Sequence, residues 1–85
     1  MPEIIIDVTG FPLEYAVVKA DGTNTELLGR CTLESVGALV PQLCFSQNID
    51  NVHLYGPGVL VAQIKNEILA NVEFGFNNKI KIEVN

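Results

Sequence analysis

At 85 residues the chain can fill one hydrophobic core and not two, because a domain of this size buries only ~60–65% of the surface its unfolded chain exposes. Ten acidic against five basic residues give a net charge of −5, and the few cations are scattered, which counts against binding a nucleic-acid backbone. A hydrophobic content of 48%, with only 7 Gly and 4 Pro, predicts order along nearly all of residues 1–85 as a single domain. No apolar run reaches the ~18 residues of a membrane span, and the N-terminus lacks the basic and apolar regions of a signal peptide. The expected setting is therefore cytoplasmic, or inside an assembly built there.

Ile4, Ile5, Ile6 and Val8 form a β-branched run with little alternation, the pattern of a central strand covered on both faces. Gly10 and Pro12 interrupt it. A second strand is predicted from Leu13 to Ala20, running into the turn cluster Asp21-Gly22-Thr23-Asn24, with a third strand from Thr25 to about Thr32. Over 32–46, Leu33, Val36, Val40, Leu43 and Cys44 recur at helical spacing, with Thr32 or Ser35 as N-cap. Pro41 falls inside this pattern, so either the helix kinks there or its regular part begins late, near Ala38, with Pro41 in the first turn.

A polar connection, Gln47 to Asp50, leads to a short strand at Val52 to Tyr55 that Gly56-Pro57-Gly58 closes. The next helix carries Leu60, Val61, Ile64, Ile68 and Val72 in one apolar stripe, and Gly75 to Asn78 ends it. The last strand alternates, with Ile80, Ile82 and Val84 toward the core and Lys79, Lys81 and Glu83 toward water, as on a sheet edge. Helical crossovers demand parallel strands, and right-handed ones place the fourth strand beside the first and the fifth outside it. The predicted architecture is an α/β domain, βββαβαβ, with one mixed five-stranded sheet in the order 3-2-1-4-5; a different α+β order follows if the Pro41 region is not helical.

That element order, with Ile4-Ile5-Ile6-Asp7-Val8-Thr9-Gly10 as first strand, resembles the ribonuclease H-like superfamily core. Leu54-Tyr55-Gly56-Pro57-Gly58 and Asn77-Asn78-Lys79-Ile80 are similar to segments of small bacteriophage proteins of that fold. In the superfamily the position matching Asp7 is a metal-binding catalytic aspartate, so the resemblance implies a candidate Mg²⁺ or Mn²⁺ site. Two-metal phosphodiester chemistry needs several converging carboxylates. Glu14, at the start of strand two, and Glu34, in the first turn of helix one, are the candidate helpers for Asp7, whereas Asp50 lies at the opposite sheet edge. The superfamily's later acidic residue has no match. The competing reading makes Asp7 a structural acid that accepts hydrogen bonds from the turn at Thr9 to Phe11.

Gly56 and Gly58 lie at the carboxyl edge of the sheet, where open sheets bind ligands and helix N-termini favour anions. They lack the lysine and hydroxyl of a P-loop, and Phe11-Pro12 occupies the place of a phosphate loop after strand one, which argues against ATP. His53 reads as a sheet residue and Cys31 and Cys44 as reduced, half-buried core positions. Phe74 and Phe76, beside an edge strand, are candidate partner-binding aromatics, with Lys79 and Lys81 selecting an acidic partner. Together these features predict a non-catalytic protein-binding or assembly module without a cofactor, acting as a homo-oligomer or with a protein partner, and the resemblance to bacteriophage proteins implies a small viral accessory or structural protein. The alternatives are a divalent-metal nuclease or resolvase using Asp7, and an acidic mimic of nucleic acid that inhibits a host enzyme.

Overall fold

The computed structural model describes residues 1–72 and 79–85, which form β1 (Glu3–Asp7), β2 (Tyr15–Asp21), β3 (Asn24–Cys31), α1 (Leu33–Gln47), β4 (Asn51–Tyr55), α2 (Gly58–Val72) and β5 (Lys81–Val84). The five strands make one mixed sheet in the order β3-β2-β1-β4-β5. β1 pairs antiparallel with β2 and parallel with β4, in the registers Ile5↔Val18 and Ile5↔His53. β5 continues the parallel half as an edge, and β3 is the other edge, with a bulge facing Val17 and Val18 of β2. Phe74 and Phe76 lie outside the described residues.

Strand alternation divides the sheet into two unlike faces. Ile4 and Ile6 of β1, Val8 just beyond it, Val17 of β2 and Val52 and Leu54 of β4 are fully buried against Val36, Val40 and Cys44 of α1 and Val61, Ile64 and Ile68 of α2. Both helices therefore lie on one face. The expectation that β1 is covered on both faces fails: Ile5, between two fully buried isoleucines, is only half-buried, and no described helix lies over its side of the sheet. The run of β-branched residues reflects strand propensity as well as burial, and β-branched side chains are stable on a half-wet strand face.

Helix α1 begins at Leu33, not near Ala38, because Thr32 caps it. The Thr32 N–H donates to Ser35 Oγ at 2.8 Å, and the Thr32 carbonyl accepts from the Val36 N–H at 2.9 Å. Pro41 is buried mid-helix and withholds the N–H that the Gly37 carbonyl would accept. Gly37 is also a point of close approach between the helices, since a Cβ there would lie 2.6 Å from the Glu67 carbonyl oxygen and from Asn71 Nδ2. Asn48, left-handed at φ 56°, ends the helix, and its N–H reaches the carbonyls of Cys44 and Phe45.

Three further positions depart from the sequence pattern. β2 starts at Tyr15, leaving Leu13 94% exposed in the preceding loop. Ile49, within the connection read as polar, is buried and donates its N–H to Cys44. Val84, expected in the core, is 48% exposed, because it sits on the edge strand beyond the helical layer, where only Ile80 and Ile82 pack partly against the core. Among the described residues no helix is long and apolar enough to cross a membrane.

Candidate protein-docking face

The sheet face opposite the helices is built by the odd-numbered residues of β1 and β4 and their register partners. Its middle row runs across all five strands as Leu27, Val18, Ile5, His53 and Glu83. Ala16 and Tyr55 lie in the row on one side of it, in line with Asp7, and Ala20 lies with Glu3 in the row on the other. Ile5, Val18, Ala16 and Ala20 are half-buried and Leu27 is 52% exposed, so an apolar stripe over β3, β2 and β1 faces outward among the described residues.

The other half of the face is aromatic and acidic. His53 stacks on Tyr55, with ring centroids 4.2 Å apart and 12° between the planes, because residues i and i+2 of a strand share a face. His53 Nδ1 lies 3.4 Å from the Tyr55 hydroxyl, 3.9 Å from Glu3 Oε1 and 3.8 Å from Glu83 Oε2. Carboxylates from two strands thus converge on one imidazole nitrogen. His53 Nε2 is buried and makes no hydrogen bond among the described residues. A proton on Nδ1 suits this environment, since it faces the carboxylates and leaves at Nε2 a bare lone pair, which costs less to bury than an unpaired N–H. Sequence reasoning placed His53 as a sheet residue but missed its acidic neighbours, which parallel pairing brings in from β1 and β5.

Asp7 ends β1 on this same face and is exposed. Thr9 hydrogen-bonds it through its side chain and its N–H, the latter 2.9 Å from Oδ1, and holds its pKa below the ordinary value. Glu14 is exposed in the loop before β2. Glu34 sits in the first turn of α1, on the other side of the sheet, close enough to Tyr15 to help raise the phenol pKa behind the larger effect of burial. The sheet therefore separates Glu34 from Asp7, and the described residues bring no three His, Cys, Asp or Glu side chains into a metal-binding group.

Gly56 closes β4 at φ +145°, where a Cβ would come within 2.5 Å of Val8 Cγ2. Its lack of a side chain is accounted for by this close approach. Gly58 opens α2 with free space at its Cα. Lys81 stands on the open face opposite Asn51, and Lys79, just before β5, is exposed. Cys31 and Cys44 are free and fully buried rather than half-buried, and burial pushes both thiols up to about 11.

The rim loop between β1 and β2 adds exposed apolar surface. Gly10 and Phe11 are both left-handed, at φ 88° and 55°, and Phe11 is 70% exposed. A bulky side chain in that backbone region carries strain that its own packing does not repay, a feature found often at binding sites. No protein-family model matches the chain, and a comparison with curated proteins also finds no match.

Proposed function

We propose that the chain is a non-catalytic protein-binding module, a miniature of the ribonuclease H-like kind, that docks a partner protein as the accessory subunit of a larger assembly. The observation that carries this reading is the apolar stripe of Leu27, Val18 and Ile5 on a sheet face with no helix over it among the described residues. A sheet buries both faces when apolar side chains line both, and here the second covering must come from outside the described fold.

Size favours a different protein over a second copy. Five strands spaced ~4.8 Å apart and about five residues long at ~3.3 Å per residue give a face of roughly 400 Å². Two copies face to face would bury roughly 800 Å² in all, below the ~1,200 Å² of stable interfaces. A larger partner can continue onto the rim at Phe11 and Leu13. Counting the surface of both partners, ~800 Å² over the face at ~25 cal/mol per Å² contributes roughly 20 kcal/mol if wholly apolar, and the acidic half of the face and the cost of association reduce it, which favours a reversible complex. The hydrogen bonding of Asp7 to Thr9, and its separation from Glu34, weigh against the phosphodiesterase alternative.

The test compares three forms purified from the native source: the unaltered protein, Val18→Asp with Leu27→Asp, and Asp7→Asn. The reading expects one stoichiometric partner retained by the unaltered and Asp7→Asn forms and lost from the face variant, with unchanged circular dichroism. A partner retained equally by the face variant contradicts it.

A further inference from the structure

We infer that the element docking on this face is an amphipathic helix with a basic flank; this rests on the protein-binding reading above. Two geometric facts select a helix over an added strand. A strand docks at a sheet edge, and here the β3 edge is disrupted by its bulge and carries Glu26 and Arg30, while the β5 edge is only four residues long and carries Lys81 and Glu83. A wide sheet face instead receives helices, as α1 and α2 show on the other side. The stripe from Leu27 to His53 crosses three strand spacings of ~4.8 Å, matched by about ten residues of helix at ~1.5 Å rise.

Charge complementarity selects the basic flank. Glu3, Asp7 and Glu83 surround the His53–Tyr55 stack, against two cations on this face, Arg30 on β3 and Lys81 beside Glu83 on β5, so the half of the face around the stack is acidic on balance. A helix with leucines over Leu27, Val18 and Ile5 would hold its flanking lysines or arginines over Glu3 and Glu83.

The experiment titrates the protein with a synthetic leucine/lysine helix of about five turns and with a leucine/glutamate helix of the same apolar pattern, following amide shifts by NMR. The expected result is binding of the lysine helix at least ~10-fold tighter than of the glutamate helix, with shifts confined to the face bearing Val18, Ile5 and His53. Glu3→Gln with Glu83→Gln lowers affinity about fivefold, the scale of two exposed ion pairs. Val18→Asp with Leu27→Asp eliminates binding, which separates docking from general attraction to an acidic protein. Equal affinity for both helices, or shifts on the α1/α2 side, overturns the inference. If neither helix binds while the native partner is still lost from the face variant, the helix inference falls and the protein-binding reading stands. If the native partner is retained by that variant, both fall.

Discussion

Gly56 shows at the level of one residue how the sheet edge is built. Its backbone has φ +145°, and the added Cβ would also lie 3.1 Å from the Val8 carbonyl carbon. Gly56→Ala should therefore cost about 2 kcal/mol or more through backbone strain and overpacking, read as a fall in the urea midpoint with unchanged slope. Asp7 gives a prediction of opposite character. Thr9 depresses its folded-state pKa, so its contribution to stability is complete above the ordinary value of 3.8 and is lost as pH falls through the folded value. Asp7→Asn should remove that acid-dependent component, leaving a flatter stability profile below about pH 4 with the fold intact. A variant that unfolds at neutral pH would contradict this role. The thiols make a third case. Cys31 and Cys44 are buried with pKa values pushed up to about 11, so neither should react with a disulfide reagent at pH near 8 until the chain is unfolded in urea.

At the scale of elements, α1 depends on its crossing with α2. The Gly37 position meets Glu67 backbone at 2.6 Å, and backbone cannot move aside as a flexible side chain does. Gly37→Leu should separate the helices and cost about 1–3 kcal/mol or more, measured by denaturation. Strand and helix placement was legible in the chain: turn residues bounded each strand, the spacing of Val61, Ile64 and Ile68 defined α2, and the crossover rule yielded the sheet order. The orientation of β1 was misread because Ile4, Ile5 and Ile6 carry no alternation in residue type, although the fold alternates their burial. A signal was nevertheless present. The connections β3-α1-β4 and β4-α2-β5 both move across the sheet in the same direction, and crossovers of the same hand moving one way place their helices on the same face. Pro41 hid the early start of α1, since the burial of Val36, Val40, Pro41 and Cys44, together with the Thr32-Ser35 cap, offsets the missing interior hydrogen bond.

For the whole molecule the central feature is the asymmetry of the sheet: a closed helical face and an open face divided between an apolar stripe and an acidic, aromatic half. Composition alone does not reveal it, because the apolar fraction of the chain is silent on how that fraction is divided between two faces. The cluster of Glu3, His53 and Glu83 was illegible for a related reason: three residues 50 and 30 positions apart become neighbours only through the register of two parallel pairings. The account requires that contact with other proteins occur on the open face. The most direct measurement places a photo-crosslinking residue at Val18 in one form and at exposed Gln63 of α2 in another, and irradiates each in its native source. The account predicts one dominant protein adduct from the Val18 position and none from Gln63. Adducts of equal yield from both positions, or from Gln63 alone, would contradict it.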